Sequence, residues 1–249
     1  MLLSRLTIAP IGFMMLAATA HATTIYSNLT NFTGSVFPPG GATVVSGSDF
    51  TNMAADDITV APGYAGSTVT SLTYAIGNTG PSSVTFEVVI GVYDNNGTGG
   101  GPGTLLGFMI DTSVTLAAAS ANEFTVDVNN AALFTVPANG TFWVGIAFND
   151  AGGTTGATAA QLDDLGPALF NPPTIGTSQD EFFVSTSPGF PTNNPVGNIV
   201  NFGGSPVANF GWSFDAQTPE PGTALLTFLA AIPLAAVLIR RRRNPPGER

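Results

Sequence analysis

Residues 84–93 read VTFEVVIGVY, and this stretch decides the fold class of the chain. Every second side chain in it is bulky and apolar: Val84, Phe86, Val88, Ile90 and Val92. The positions between them include Thr85, Glu87 and Gly91. A period of two residues gives an extended strand one apolar face and one polar face. The stretch therefore predicts a β-strand that covers a hydrophobic core with one of its faces.

The same alternation recurs elsewhere, in residues 123–128, 142–148 and 210–215. Shorter apolar runs bounded by turn residues predict further strands, at residues 69–76, 105–110 and 182–185. Strands with one apolar face form antiparallel sheets whose apolar faces pack together. We therefore predict an all-β fold over residues 23–215, an antiparallel two-sheet β-sandwich of the jelly-roll type. Residues 149–209 are predicted to be rich in loops.

Charge is divided unevenly between the middle of the chain and its two ends. All six basic residues are arginines in the terminal segments, and the single histidine is His21. Of the 16 acidic residues, Glu220 and Glu248 lie near the C-terminus, and the other 14 lie between residues 23 and 219. That span contains no Lys, Arg, His or Cys. The middle of the chain is therefore purely anionic.

This composition excludes most classes of catalytic and binding site. A serine or threonine nucleophile needs a neighbouring base, and the span offers neither imidazole nor amine. Zinc and copper sites use imidazole and thiolate, and nucleic-acid binding needs cations against phosphate. Carboxylates remain suited to hard cations or to a glycosidase pair. We therefore predict a protein that is not an enzyme and has no nucleic-acid partner.

The N-terminus has the parts of a secretory signal peptide in residues 1–22. Arg5 supplies the positive charge, an apolar stretch follows, and Ala20-His21-Ala22 is an A-x-A cleavage site. Cleavage there would place the mature N-terminus at Thr23. We therefore predict export through the Sec translocon, and the alternative interpretation is a buried N-terminal helix.

The C-terminal segment, residues 216–249, has three parts in a fixed order. Pro219-Glu220-Pro221 comes first, and an apolar run of 18 residues, 222–239, follows it. The run ends at a basic block that consists of Arg240, Arg241, Arg242 and Arg243. As a transmembrane helix the run would be about 27 Å long, which suits the hydrocarbon core of a bilayer. The arginines orient it with its C-terminus in the cytoplasm.

This tail resembles the PEP-CTERM sorting signal of Gram-negative bacteria over residues 218–249. The resemblance implies that a membrane-embedded exosortase recognises Pro219, Glu220 and Pro221, removes the anchor and passes the protein outward. The four arginines would be the stop-transfer block. The chain would form an inner-membrane intermediate with its N-terminus outside, and would then reach the cell surface or the extracellular matrix. An anchor that is never cleaved is the alternative.

Two passages in the middle of the chain carry a second resemblance, GVYDNNGTGGGPGTLLG at residues 91–107 and FTVPANGTFWVGIAF at residues 134–148. They resemble the choice-of-anchor ectodomains that often precede PEP-CTERM tails, of the type called choice-of-anchor R. The resemblance implies a β-sandwich and an extracellular role. It implies no known reaction.

The loop after residue 93 is the best candidate for a metal site. Asp94, Asn95 and Asn96 offer oxygen ligands in a compact loop, as Ca²⁺ requires. The loop lacks the spaced acidic positions and the distal Glu of an EF-hand, and a solvated turn is the alternative. No other cofactor is predicted. The adjacent pairs Asp56-Asp57 and Asp163-Asp164 are predicted to be solvated, because neighbouring side chains diverge on a strand.

The two tryptophans are expected in different places. Trp143 falls on the polar side of its strand, where it could stack against a sugar ring. Trp212 shares a face with Phe210 and Phe214, which predicts a place in the core. The sequence favours a non-catalytic structural or interaction protein of the cell surface or matrix. A carbohydrate-binding module of the exopolysaccharide matrix is the first alternative, and a secreted glycosidase is the second.

Overall fold

The structure is a computed structural model that describes residues 22–128, 131–204 and 209–217. These residues belong to one compact unit, Ala22–Thr218. Within them the chain forms 15 strands in two antiparallel sheets, one 3-10 turn (Thr98–Gly100) and one short α-helix, α1 (Ala159–Leu162). The predicted all-β architecture with two antiparallel sheets is confirmed.

The strands are numbered in chain order. They are β1 (Ala22–Ser27), β2 (Phe32–Val36), β3 (Thr43–Val45), β4 (Ser48–Phe50), β5 (Ala54–Thr59), β6 (Thr68–Asn78), β7 (Val84–Tyr93), β8 (Leu105–Leu116), β9 (Ser120–Asp127), β10 (Phe134–Thr135), β11 (Thr141–Asn149), β12 (Leu165–Phe170), β13 (Phe182–Ser185), β14 (Gly197–Val200) and β15 (Trp212–Gln217). β7 and β13 have the bounds that the apolar pattern predicts. The other predicted strands are present with shifted ends.

The centre of the seven-stranded sheet is β6. Along one edge β6 pairs with β15 and then with β12, and along the other edge it pairs with β9 and β10. β15 pairs in turn with β1, and β12 pairs with β2. The first and last strands of the unit are therefore neighbours, and Ala22 lies opposite Gln217.

The centre of the eight-stranded sheet is β11. It pairs with β5 and β4 along one edge and with β7 along the other. The sheet continues from β5 to β13 and β14, from β7 to β8, and from β4 to β3. This arrangement places β5 directly between β11 and β13.

The core lies between the two sheets. All five alternating residues of β7, from Val84 to Val92, belong to it, so the predicted inward face of this strand is confirmed. Trp212 is 1% exposed and also belongs to this core, as predicted. The Phe214 ring lies within 5.3–6.2 Å, centroid to centroid, of four other aromatic rings. Aromatic residues from both sheets therefore pack around Phe214 in the core.

The predicted loop-rich region contains more regular structure than its sequence suggests. α1, β12, β13 and β14 all fall within residues 149–209. Every residue of β12 is buried. Leu165 and Leu169 face the main core, whereas Ala168 and Phe170 pack on the opposite side of the sheet. A strand buried on both faces has no polar alternation, which is why a period of two does not reveal it.

The described residues contain no helix that is long and apolar enough to cross a bilayer. The predicted signal peptide lies outside the described residues, except for Ala22, which begins β1. The Pro-Glu-Pro element, the apolar run 222–239 and the four arginines also lie outside them.

Candidate functional site

The loop after β7 contains the three residues predicted to bind calcium. The Asp94 Oδ1 and Asn96 Oδ1 atoms accept hydrogen bonds from one main-chain amide, Thr104 N, at 2.7 and 3.1 Å. Asn95 points elsewhere, because its Nδ2 atom donates to Thr141 Oγ1 at 2.8 Å. The structure thus brings together two of the three residues, in a turn held by side-chain-to-main-chain hydrogen bonds. Calcium binding by this loop stays a prediction.

Gly103 occupies a position in this loop where no side chain fits. A Cβ atom on Gly103 would lie 2.5 Å from Asp94 Oδ1 and still closer to Asn96 Oδ1. The Gly103 amide also donates to Asp94 O at 3.0 Å. Glycine is therefore required here for the close approach of two side-chain oxygens to the backbone.

Trp143 lies on the face of β11 that points away from the main core, as predicted. The expectation that this face leaves the ring exposed is wrong, because Trp143 is 3% exposed. Its Nε1 atom donates to Gly100 O at 2.9 Å, so the glycine-rich loop covers the indole. The ring packs in a second buried cluster with Met53, Ala55, Tyr93, Ala147 and Phe183. Trp143 therefore offers no free face for a sugar ring.

A groove of about 520 Å³ lies beside this covered tryptophan. One wall is the glycine-rich loop, including Thr98 and Pro102, and the other wall is formed by residues 194–199. The two walls are joined, because Asn194 N donates to Gly103 O at 2.8 Å. Asn194 and Asn198 expose their amides along the second wall.

The groove carries no charge, although the domain around it is acidic. Residues 95–110 and 182–214, which include its whole lining, contain no charged side chain. Amide, hydroxyl and main-chain groups can recognise an uncharged polar ligand, and the lining has no charged side chain that would select for an ion. The groove is therefore suited to a neutral partner.

A second site lies where the sequence predicted only solvated carboxylates. Asp56 is 0% exposed, so the prediction of a solvated pair is wrong for this residue. Asp56 lies on β5 between Ala54 and Ile58, both of which belong to the main core. The strand's own alternation therefore points the Asp56 carboxyl group between the sheets. The pattern Ala54-x-Asp56-x-Ile58 is the sequence signal that could have revealed it.

The Asp56 carboxyl group joins the two sheets. Its Oδ2 atom accepts a hydrogen bond from Phe210 N at 2.6 Å, just ahead of β15. Burial, and then the nearby charge of Asp57, raise the pKa of Asp56 well above its ordinary value. The hydrogen bond from Phe210 N opposes this rise in pKa without cancelling it. The interior therefore favours the uncharged acid over a bare carboxylate.

The chain facing β5 bulges next to this residue. Thr177 bridges to Thr59, and Phe182 pairs with Asp56. Between these two contacts β5 has two residues, whereas the facing chain has four, 178–181. The longer segment, residues 178–181, cannot keep the regular strand pairing, as in a β-bulge. Its polar groups can therefore turn toward the edge of β5.

Ser178 is the residue of this bulge that reaches both acidic side chains. Its Oγ atom lies 3.2 Å from Asp56 Oδ1, 3.4 Å from Asp57 Oδ1 and 3.4 Å from Gln179 O. Asp57 also accepts a hydrogen bond from Gln179 N at 3.1 Å. Burial raises the pKa of Asp57, the Gln179 hydrogen bond lowers it, and the charge of Glu181 raises it again. Three oxygen atoms therefore lie within 3.4 Å of the Ser178 Oγ atom.

Tyr26 lies on β1, in the other sheet, and directs its hydroxyl group toward Ser178 and the two carboxyl groups. Burial raises the pKa of Tyr26 well above its ordinary value, and the charges of Asp56 and Asp57 raise it further. The Ser178 hydroxyl group is close enough to lower that pKa, but the two hydroxyl groups do not meet hydrogen-bond geometry. The buried Tyr26 oxygen is therefore left without a hydrogen-bond partner among the described residues.

Gly176 lets Tyr26 and β5 approach each other. Its φ angle is +74°, and a Cβ atom there would lie 2.5 Å from Thr59 O and 2.8 Å from the Tyr26 ring. A side chain would thus meet both strain and a clash. Glycine is therefore required at this position, where the chain passes between the two sheets beside Ser178.

The polar groups of these sites are oxygen atoms and amides. The described residues include no Lys, Arg, His or Cys, and they contain no cluster of three or more Asp and Glu side chains arranged to hold a metal ion. Asp56 and Asp57 are neighbours on one strand and share Ser178, so they do not flank a cleft as a glycosidase pair does. What the arrangement can do chemically is to place oxygen atoms around a small cation or a proton.

Comparison with known proteins found no matching family model, no similar curated protein and no similar solved structure.

Proposed function

We propose that the chain is an exported, non-catalytic structural or interaction protein of the bacterial cell surface or extracellular matrix. The Sec translocon would export it, and an exosortase would process its PEP-CTERM tail at the inner membrane. The jelly-roll-like connectivity predicted for the β-sandwich is part of this proposal.

The observation that carries the proposal is where the folded unit begins and ends. The first strand starts at Ala22, one residue before the predicted mature N-terminus. The last strand ends at Gln217, two residues before Pro219. Cleavage after Ala22 and near Pro219 would thus remove only the first residue of β1 and leave the rest of every strand in place.

The charge of the domain supports a non-catalytic role on the outside of the cell. Residues 23–219 contain 14 acidic residues and no basic residue, which favours solubility and disfavours binding to phosphate. No nitrogen base is present in the described residues to activate a nucleophile. The interior, with its two packed sheets, gives stability without disulfides.

Mass spectrometry of the protein from cells and from medium tests this proposal. We expect a mature form that starts at Thr23 and ends near Pro219. Replacing Glu220 with Ala should leave the tail in place and keep the protein with the membrane, while Glu248→Ala should be processed normally. Intact tails in every fraction of the unaltered protein would refute processing, and a retained Met1 in a cytosolic protein would refute export.

The groove favours a second candidate function, the binding of a neutral polysaccharide. Its uncharged amide and hydroxyl lining fits sugar hydroxyl groups, and matrix polysaccharide is the neutral polymer that such a surface protein would meet. Binding to a glycan array that is lost in Asn198→Ala, but kept in Glu123→Gln on the exposed side of β9, would support this function. Equal binding by both variants would reject the groove as the site.

A further inference from the structure

We propose that Asp56, Asp57 and Ser178 form a calcium-binding site at the edge of β5, between the two sheets. The ligand set would be two carboxylates, one hydroxyl group and the main-chain carbonyl of Gln179, completed by water. This site is separate from the Asp94 loop and does not depend on how the chain is exported.

The spacing of the oxygen atoms is the first argument. Oxygens at right angles around Ca²⁺, each at its usual bond length, lie about 3.3–3.7 Å apart, whereas around Mg²⁺ they lie about 2.9 Å apart. The Ser178 Oγ atom lies 3.2, 3.4 and 3.4 Å from the other three oxygens. These separations are longer than good hydrogen bonds between oxygen atoms and lie nearer the calcium spacing.

The Tyr26 hydroxyl group is the second and independent argument. It is fully buried, it faces the two carboxylates, and it has no hydrogen-bond partner among the described residues. A buried hydroxyl group without a partner costs free energy, so such groups normally meet a water or an ion. A hydrated cation beside Ser178 would supply a bound water within its reach.

The lack of any other cation is the third argument. A fully buried carboxylate needs a positive partner or must take up a proton. The described residues contain no Lys, Arg or His that could pair with Asp56. The Glu181 charge acts on Asp57 and adds to the negative potential at the same edge. A divalent cation is the partner that this electrostatic environment favours.

The site also has a route for entry. Asp56 is fully buried, but Asp57 and Ser178 are half-buried and Gln179 is exposed. An ion could therefore arrive from the solvent beside Gln179 without the two sheets separating. The Asp56 oxygen that is hydrogen-bonded to Phe210 N would stay in place, because the other oxygen faces Ser178.

Isothermal titration calorimetry with CaCl₂, at constant ionic strength, tests the site on the full chain purified in mild detergent. We expect a saturable site that prefers Ca²⁺ to Mg²⁺ and that the Asp94→Asn variant retains. Asp57→Asn should weaken the binding about tenfold or more, since it removes a charged ligand. Ser178→Ala should weaken it by a smaller factor. Asp56→Asn should abolish it, and the other two variants keep the test valid if this variant fails to fold.

Two control variants separate this site from other sources of calcium binding. Glu123→Gln removes the same charge from an exposed position and should bind as the unaltered chain does. Asp94→Asn changes the other candidate loop and should also leave the binding unchanged. Absence of saturable binding, or equal binding by Asp57→Asn and Glu123→Gln, would overturn the proposal, as would its loss in Asp94→Asn alone.

Discussion

Replacing Phe214 with Ala should strongly destabilise the domain. Phe214 is fully buried on β15, and its ring lies 5.3 Å from Phe142, 6.0 Å from Phe134 and 6.1 Å from Tyr26. A buried Phe→Ala change lowers the free energy of unfolding by about 3–5 kcal/mol. Each aromatic pair adds about 0.5–1.5 kcal/mol beyond the buried area. We therefore expect a loss near the upper end, about 4–5 kcal/mol.

Urea unfolding followed by tryptophan fluorescence measures this loss. With an m-value of about 2.5 kcal/mol/M, typical of the upper part of the range for small proteins, the midpoint should fall by about 1.5–2 M. Phe108→Ala is the matched control, since Phe108 is 57% exposed on β8 and its loss should change the midpoint little. A midpoint shift for Phe214→Ala no larger than that of Phe108→Ala would refute the reasoning that these rings hold the sheets together.

Other parts of the fold predict the effect of a glycine substitution, the titration of two tyrosines and the quenching of a tryptophan. Gly103→Ala should cost about 1–3 kcal/mol of unfolding free energy through overpacking, whereas Gly101→Ala, whose Cβ would find ordinary contacts, should be tolerated in the same urea assay. Burial raises the pKa of Tyr74 and of Tyr93, so the folded chain holds these two protons more tightly than the unfolded chain does. The contribution of this difference to the free energy of unfolding is complete below about pH 10 and is lost as the pH rises above that value. Titration of tyrosine absorbance should show both rings ionising together with unfolding, and ionisation in the folded protein would contradict this. Acrylamide should quench Trp143 fluorescence little before unfolding and strongly after it, and strong quenching in the native protein would show that the loop does not cover the ring.

The sequence predicts those parts of the fold where one face of a strand is polar. β7 alternates fully, and its apolar face does line the core. β12 is buried on both faces, so its sequence, LGPALF, carries no alternation and resembles a loop because of its Gly and Pro. Its position depends on contacts with β6 and β2, which are distant in sequence. No local pattern contains that information.

The candidate sites show the same limit. The alternation in β11 predicts the correct face for Trp143, but the burial of its ring depends on the glycine-rich loop and on Phe183, which lie elsewhere in the chain. Asp56 could have been placed correctly, because Ala54 and Ile58 define its side of the strand. The same divergence of neighbouring side chains that predicts a solvated pair also turns Asp56 toward the core. The convergence of Ser178 and Tyr26 on it could not be read from the sequence, since it results from a bulge and from sheet packing.

The pairing of Ala22 with Gln217 has a mechanical consequence. The two ends of the domain leave from one corner, opposite each other on an antiparallel pair whose hydrogen bonds run across the strands. A load applied between those ends would act along these hydrogen bonds and break them one at a time, starting at Ala22 and Gln217. The first and last strands would peel apart at low force, well before the packed sheets had to slide over each other.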